Sequence, residues 1–499
     1  MLIGLGVLLR AVQYVSGRSL WTDEASLALN IVGRSYAELL LPLDNDQVCP
    51  PGFLWLSRAA VDLFGSSEAA LRLPAFLFGI LSLPVFYVLA RRWTGRAEAA
   101  LALGVFAISE HLVAYSAELK QYSGDVLFSL LAFLLAGQRA PGVRRWIVTG
   151  LLGAVAVWFS HAVVFVLAGL CLVHGVSSLA GRGWRDLSAV VACAAMWSAS
   201  FLVVHRLTLS PAVDSQFLID YWRPGFAPLP PMSAEDIRWY LETLSEALRM
   251  PGGFPYPGGA FLPLFVGCVL AWHRSPKELW LLISPALVAL VASAAGKYPF
   301  ADRLLLFAVP FALLLIADGT MYIARQSRGL EGAVGTVLLL VVLVPVALVA
   351  GRDVLRPRTV EEARPVVQHL ARERRAGDTI YVFYGSRNPF RYYASALGIG
   401  PDEYIIGAGR REDPEAYSRG LQALRGKRRV WVVYCVPCPW GGVRDDQPFV
   451  RDLNAIGTRI DQFQRPGAAV FLYDFTRPAR AGPVASEPQA RTTTEQPDL

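Results

Sequence analysis

The sequence predicts an α-helical protein that crosses a membrane about eleven or more times and ends in a soluble α/β domain. Residues 1–350 hold eleven apolar runs near spanning length, and only helices satisfy the backbone groups of such runs inside lipid. The composition then changes, because residues 351–499 have the charge density of a soluble protein although the whole chain is only 17% charged. The apolar runs lie at about 2–16, 71–90, 97–113, 123–138, 146–160, 162–180, 187–207, 259–272, 279–295, 303–323 and 330–350.

These features divide the chain into three parts. A transmembrane domain covers 1–350, and it includes two long external loops, at 17–70 and 208–258. A soluble α/β domain covers 351–476, and its tail at 477–499 is expected to be disordered because Pro, Ala, Thr, Gln and Glu dominate it. Within the soluble domain the patterns predict strands at Asp378–Tyr384, Arg429–Val436 and Ala468–Asp474, and helices at Val360–Arg374 and Asp413–Leu424.

The loops between the apolar runs alternate in charge, which predicts their orientation. Short loops rich in Arg and Lys belong in the cytoplasm. They contain Arg91, Arg92 and Arg96; Arg139, Arg144 and Arg145; Arg182 and Arg185; Arg274 and Lys277; and Arg325 and Arg328. The remaining loops, and after an odd number of spans the C-terminal domain, fall on the extracytoplasmic side. The net charge of +7 is therefore explained by orientation in a plasma (inner) membrane, and nucleic acid is not an expected partner.

Two smaller features are open to interpretation. The first apolar run is short and is interrupted by Arg10, so the functional start of the protein is expected upstream. Cys435 and Cys438 have the CxxC spacing. A local disulfide in an oxidising compartment and two ordinary thiols are both compatible with that spacing.

Asp23 and Glu24 are adjacent carboxylates just past the first apolar run. Ionisable residues this close to hydrocarbon are interpreted as functional by default, although helix N-terminal capping is the alternative. On a helix they diverge by about 100°, so both cannot face one substrate. We therefore expect one to act as a base in a cavity, and the other to cap, pair or hold a neighbouring loop.

Two further polar clusters lie on the same side. The first contains Tyr115, Glu118, Lys120 and Tyr122, and an interfacial aromatic belt is its structural alternative. The second contains Lys297, Tyr298 and Arg303 around a Tyr-Pro turn. Its two cations could bind a lipid phosphate, Arg303 in bidentate fashion, or could be ordinary interfacial anchors. His161 is expected in the cavity wall.

The first external loop also contains elements with a structural interpretation. The segments Tyr36–Leu43 and Gly52–Phe64 are predicted to be short amphipathic helices, and Pro50-Pro51 between them fixes a rigid turn. Glu68 and Arg72 have the i, i+4 spacing of a helical ion pair.

In this order and on one face, these motifs resemble the GT-C class of polyprenyl-phosphate-sugar glycosyltransferases, in the branch similar to protein O-mannosyltransferases and the lipid A aminoarabinose transferase. The resemblance spans about residues 1–350. Two positions depart from the family pattern: Cys49 stands where His or Lys usually precedes the double proline, and Lys120 replaces an Arg. The matching stretches are Leu20–Ala25, Pro50-Pro51, Leu63–Pro74, Tyr115–Tyr122 and Lys297–Arg303.

The resemblance implies transfer of one sugar from a polyprenyl monophosphate to an acceptor hydroxyl on a cell-envelope glycan, lipid or protein, with inversion. Asp23 would be the general base, and Lys297, Arg303 and Lys120 would stabilise the leaving phosphate. The resemblance makes no cofactor certain. A divalent metal is possible if Asp23, Glu24, Glu118 and His161 converge, but no ligand spacing demands one. The alternatives are a flippase or transporter of lipid-linked sugars, and an oligosaccharide ligase using a polyprenyl-diphosphate donor.

Overall fold

The chain forms two compact units that divide between Thr359 and Val360. The computed structural model describes residues 1–137, 142–210, 215–326, 332–410, 413–436 and 447–476. The expected disordered tail at 477–499 and Cys438 lie outside these residues, so both the tail's disorder and the disulfide stay predictions. The sequence-based boundary at 350/351 falls within the last apolar helix of the first unit, which continues to Leu355.

The first unit is helical. Its helices are α1 Leu2–Val15, α2 Thr22–Gly33, α3 Pro51–Phe64, α4 Glu68–Trp93, α5 Arg96–Ile108, α6 Glu110–Ala114, α7 Tyr122–Ala136, α8 Val143–Ala156, α9 Val163–Ala180, α10 Trp184–Val204, α11 Gln216–Tyr221, α12 Ala234–Arg249, α13 Gly258–Arg274, α14 Pro276–Ala294, α15 Val309–Gln326 and α16 Gly332–Leu355. Short 3₁₀ segments include Glu38–Leu40, Tyr115–Ala117, Arg223–Gly225 and Asp302–Ala308.

Each of the eleven predicted apolar runs overlaps one of these helices. Among the described residues, six helices are long and apolar enough to cross a membrane, or seven if the pair 96–108 and 110–117, bent by 56°, is one span. α1 and α7 are apolar but shorter. The protein is thus a multi-pass membrane protein as predicted, and the number of eleven crossings stays a prediction.

The basic ends of α13 and α15 and the start of α5, which follows a third basic loop, lie together at one end of the helical bundle. Arg325, at the end of α15, forms an ion pair with Glu98 at the start of α5. Arg274, at the end of α13, forms an ion pair with Asp318 of α15. Arg303 precedes the other end of α15, roughly 27 Å away along an 18-residue helix. The polar cluster around Arg303 is therefore separated from Arg274 and Arg325 by about the length of α15.

The first external loop differs from prediction in one element. The helix predicted at Gly52–Phe64 is present as α3, but only a single 3₁₀ turn, Glu38–Leu40, forms within Tyr36–Leu43. The reason is local. Pro42 forces Leu41 into an extended conformation (φ −84°, ψ 163°), which ends the helical turn.

The second unit is an α/β domain, as predicted. Its five-stranded sheet has the order β2-β1-β3-β5-β4, in which β1 pairs in parallel with β2 and β3, while β5 pairs antiparallel with β3 and β4. The three predicted strands and two predicted helices are present. The strands are β1 Thr379–Val382, β2 Tyr404–Ile406, β3 Val430–Cys435, β4 Thr458–Arg465 and β5 Ala468–Asp474, and the helices are α17 Ala363–Glu373, α18 Arg387–Ala396, α19 Pro414–Gln422 and α20 Pro448–Ile456.

Candidate functional site

The buried side chain of Glu24 connects three segments of the first unit through hydrogen bonds. Its two carboxylate oxygens accept hydrogen bonds from the Arg72 guanidinium at 2.7 and 2.6 Å, and one of them also accepts from the backbone N–H of Leu119 at 2.7 Å. Arg72 donates in addition to the carbonyls of Arg18 and Ser19. Burial alone would raise the pKa of Glu24, but Arg72 holds that pKa below its ordinary value.

Arg72 thus has a bidentate contact with Glu24 that the i, i+4 spacing did not indicate, and the ion pair between Glu68 and Arg72 stays a prediction. The side chain reaches across to Glu24 on another helix, 48 residues away in sequence. Glu68 begins α4 and contributes negative charge to its first turn, where it complements the helix dipole.

Asp23, one residue earlier on α2, has different partners. Its Oδ1 accepts from Lys120 Nζ at 2.9 Å and from Gln47 Nε2 at 3.2 Å, and its Oδ2 lies 3.2 Å from an Arg303 nitrogen. Its side chain is 18% exposed, whereas that of Glu24 is 0% exposed. Burial alone would raise the pKa of Asp23, but the charges of Lys120 and Arg303 hold that pKa at about 2.

Arg303 is surrounded by aromatic rings. Its guanidinium carbon lies 5.6 Å from the ring of Trp21, 5.7 Å from that of Tyr122 and 5.9 Å from that of Trp222. These distances are within the range of cation–π attraction. The rings also keep water from the guanidinium, which strengthens its interaction with any anion that reaches it. Tyr115 packs edge-on against Tyr122 and extends this aromatic wall.

The turn at 298–303 positions Arg303. The Tyr298 hydroxyl donates to the Leu304 carbonyl at 2.7 Å and closes the turn. The backbone N–H of Phe300 donates to the Gly225 carbonyl at 2.7 Å, which brings the 208–258 loop, and with it Trp222, against this turn. A Cβ on Gly225 would lie 3.0 Å from the Cβ of Ala301, so any side chain at this position would require Ala301 to move by a few tenths of an ångström.

Glu118 lies in the same polar region with an incomplete set of partners. Its side chain is buried, and within the described chain its Oε1 has no hydrogen-bond partner. Burial raises the pKa of Glu118, and the nearby charge of Glu24 raises it further, while Arg18 opposes the shift. Arg18 itself is buried and donates to the Ala117 carbonyl.

Two predicted residues lie apart from the Asp23 network. Lys297 is exposed, and the cations that contact Asp23 are Lys120 and Arg303. His161 has a buried Nε2 without a hydrogen-bond partner in the described residues, and its titratable neighbour is His205.

The double proline has a local structural effect. Pro50 precedes α3 and Pro51 is its first residue, where the missing N–H causes no loss. Cys49 before them is buried, and burial raises the pKa of its thiol.

Gln47 and Trp222 are site residues that the sequence interpretation missed. Gln47 accepts from Lys120 at 2.7 Å while it donates to Asp23. A signal for Gln47 exists in the polar run Asp44–Gln47, which interrupts an otherwise apolar part of the loop. Trp222 has no comparable signal, because only the folded chain brings it to Arg303.

The acidic and histidine side chains do not form a metal-binding group. Among the residues that the structure describes, no three His, Cys, Asp or Glu side chains are grouped so that they could hold an ion. Asp23 is flanked by Lys120 and Arg303, and Glu24 is bound by Arg72. An ion would have to displace these cations, so the residues present do not fit the divalent metal that the sequence left possible.

Comparisons with known proteins agree with this fold. Residues 48–204 match the family model described as dolichyl-phosphate-mannose-protein mannosyltransferase. The structure matches apo ArnT from Cupriavidus metallidurans with a TM-score of 0.51 and 15% identity, covering 94% of this chain and 98% of that one. The same protein bound to undecaprenyl phosphate matches with a TM-score of 0.50 at 15% identity, covering 94% and 97%.

An archaeal enzyme matches as well. The Archaeoglobus fulgidus oligosaccharyltransferase in complex with Zn and sulfate has a TM-score of 0.53 at 13% identity, covering 87% of this chain and 68% of that one. A search of curated proteins finds no match.

The fold is that of the GT-C class of membrane glycosyltransferases. Within that class the chain is similar to the branch of protein O-mannosyltransferases and ArnT, and the resemblance predicted from its motifs is confirmed.

Proposed function

We propose that this protein transfers a single sugar from a polyprenyl monophosphate to an acceptor hydroxyl on a cell-envelope glycan, lipid or protein, with inversion at the anomeric carbon. The observation that carries the proposal is the partly exposed Asp23 carboxylate, which lies between Lys120 and Arg303. A base next to two cations is the arrangement that this displacement requires. The undecaprenyl phosphate bound by ArnT supports a donor of this chemical type, and so does the dolichol phosphate bound by the Archaeoglobus fulgidus oligosaccharyltransferase AglB.

In the proposed reaction the acceptor oxygen attacks the anomeric carbon and gives its proton to Asp23. A bond forms between that oxygen and the anomeric carbon while the bond from the anomeric carbon to the phosphate oxygen breaks. The electron pair leaves with the phosphate, so the products are the glycosylated acceptor, polyprenyl phosphate and a protonated Asp23, which later loses its proton to water. Attack opposite the leaving group produces inversion.

Lys120 and Arg303 stabilise the leaving phosphate in this scheme. The donor phosphate is a diester with one negative charge, and it becomes a monoester with a second negative charge as it leaves the sugar. Two cations complement that growing charge. Arg303 is 15% exposed and Lys120 is 5% exposed, so their charges act in a poorly solvated site where electrostatic stabilisation is strongest. Glu24 has a positioning role, because its oxygens are bound by Arg72 and the Leu119 N–H.

We place this site and the second unit on the extracytoplasmic face of the plasma (inner) membrane. The support is the gathering of basic residues such as Arg274 and Arg325 at the opposite end of the bundle from Arg303. Basic loops remain in the cytoplasm.

The test is a transfer assay with the purified full chain in liposomes. Sugars labelled with ¹⁴C are supplied on a polyprenyl monophosphate or on a polyprenyl diphosphate, together with a cell-envelope extract as acceptor. Label in the glycan, lipid or protein fraction from the monophosphate donor supports the proposal. Transfer from the diphosphate donor alone would indicate an oligosaccharide ligase, and movement of the intact donor between leaflets without product would indicate a flippase.

A further inference from the structure

The two cations proposed to bind the donor phosphate are the same two that now bind the base. Lys120 Nζ contacts Asp23 Oδ1 at 2.9 Å, and an Arg303 nitrogen lies 3.2 Å from Oδ2. Both oxygens of the carboxylate therefore face a cation. The phosphate of an entering donor competes with Asp23 for both cations, and it competes more strongly as the bond to the sugar breaks and its second negative charge develops.

Gln47 is the neutral member of this network. It donates to Asp23 Oδ1 at 3.2 Å and to the Asn45 carbonyl at 3.2 Å, and it accepts from Lys120 at 2.7 Å. Because it is neutral, the amide is attracted to the donor phosphate less strongly than the two cations are. Gln47 can thus keep its contact with Asp23 when Lys120 turns to another anion.

The backbone that presents Gln47 is held in an unfavourable conformation. Asn45 and Asp46 have φ angles of 61° and 52°, in the left-handed region that non-glycine residues rarely adopt. Two contacts hold the turn: Asn30 exchanges hydrogen bonds with the backbone of Asp44 at 2.9 and 3.2 Å, and Arg34 forms an ion pair with the Asp44 carboxylate. Strain of this kind persists only where surrounding contacts enforce it, and it concentrates at functional sites.

We propose that Asp23 cannot act as a base while Lys120 and Arg303 hold it, that the phosphate of the polyprenyl donor frees it by taking both cations, and that Gln47 is the positioning residue that keeps the freed carboxylate in place. This inference rests on the proposed function and deepens it. The base then becomes competent only when the donor is bound.

The electrostatics of the free site agree with this order of events. A carboxylate whose pKa is about 2 is a weak base toward a hydroxyl, whereas an efficient general base has a pKa near the working pH. Replacing two cation contacts with a nearby phosphate anion raises that pKa by about one unit or more. The titratable groups whose charges act on or are affected by Asp23 are Lys120, Arg303, Glu118, Tyr122, Tyr221 and Cys49.

The first experiment titrates Asp23 directly. Isotope-edited infrared difference spectra of the full chain give the protonation midpoint of this carboxyl, assigned by its loss in Asp23→Asn. The midpoint is measured with and without polyprenyl phosphate, and binding of that lipid is measured on the same sample. We expect the midpoint to rise by about one pH unit or more when the lipid is bound.

The outcomes separate the two proposals. Lipid binding with an unchanged midpoint overturns the release of Asp23 and leaves the transferase proposal standing. No binding of polyprenyl phosphate overturns both.

The second experiment tests Gln47 by a split between kcat and KM. Gln47→Ala should lower kcat about tenfold, in line with the loss of one charge-assisted hydrogen bond, with little change in the donor KM. Gln47→Glu places a second carboxylate beside Asp23, so the acidic limb of the rate profile should move to higher pH. Gln462→Glu, exposed on β4 in the second unit, is the matched control and should shift neither quantity. A Gln47→Glu profile identical to the control would overturn the role of Gln47.

Discussion

Asp23 and Glu24 are neighbours in sequence, yet they lie in two different electrostatic environments. Glu24 is fully buried and bound by a planar arginine fork and a backbone N–H, which leaves it no freedom to change partners. Asp23 is partly exposed and contacts Lys120 and Arg303, and Lys120 also donates to the Gln47 amide oxygen. Both carboxylates have a lowered pKa, but only Asp23 has partners that an incoming anion could remove. A lowered pKa by itself thus does not distinguish a structural ion pair from a functional one.

The variant with the largest expected effect tests the structural ion pair between Arg72 and Glu24. Arg72→Ala leaves Glu24 buried without its cation, and it should destabilise the protein by about 3–5 kcal/mol. Thermal unfolding in detergent micelles measures this loss. Because the pKa of Glu24 lies below its ordinary value of 4.5, the contribution of the pair is complete above that pH and is lost as the pH falls below it.

The control for this prediction is Arg238→Ala, which removes an exposed helical ion pair with Glu242. It should change stability by less than about 1 kcal/mol. Equal effects of the two variants would contradict a structural role for Glu24.

The second prediction tests Asp23 as the proposed general base. Asp23→Asn retains size and one hydrogen-bond acceptor but removes the base, so turnover should fall by about 100-fold or more while polyprenyl phosphate still binds. Initial rates at saturating donor measure the change, and Asp62→Asn in the same external loop is the control. An Asp23→Asn protein with turnover near that of the control would exclude Asp23 as the base.

A smaller effect compares the two cations of one turn. Arg303→Ala should weaken donor binding and turnover together, roughly 10- to 100-fold, because it removes charged hydrogen bonds from a poorly solvated site. Lys297→Ala, in the same turn but exposed, should change both by less than about twofold. Titration of donor against each purified variant measures the difference. A larger defect in Lys297→Ala would make Lys297, rather than Arg303, the main phosphate-binding residue of this turn.

The smallest effect concerns the aromatic rings around Arg303. Trp222→Leu removes one cation–π contact worth about 0.5–1 kcal/mol, so donor affinity should fall only about two- to fivefold. Equilibrium binding of polyprenyl phosphate tests this, with Phe217→Leu on the same loop as control. A loss as large as that of Arg303→Ala would mean that Trp222 contacts the donor itself.

The sequence was sufficient for the fold because apolar runs and strand patterns are local properties. The α/β domain was recognised from its hydrophobic strands, such as β5, in which every residue is buried. The missed β2 has only three residues, and the missed β4 is largely exposed, so neither produced a clear pattern.

The candidate site was less accessible to sequence reasoning because it depends on distant contacts. Lys297 and Arg303 are similar charges in one motif, and only the turn closed by Tyr298 decides that Arg303 faces Asp23. Arg72 binds a carboxylate 48 residues away, a contact that no local spacing indicates. Asp23, Lys120 and Arg303 were identified as separate motifs, while the amide that joins two of them was not.

The close approach at Gly225 has a consequence for tolerance to change. The Gly225 carbonyl accepts a hydrogen bond from the Phe300 N–H, and the absence of a side chain at Gly225 lets the 208–258 loop lie close to Ala301. Together these contacts hold the loop against the turn that contains Arg303. A methyl group added there would crowd Ala301 and Pro299, so the turn that contains Arg303 would have to move by a few tenths of an ångström. The geometry of the proposed phosphate site therefore depends on a position that contributes no functional group of its own.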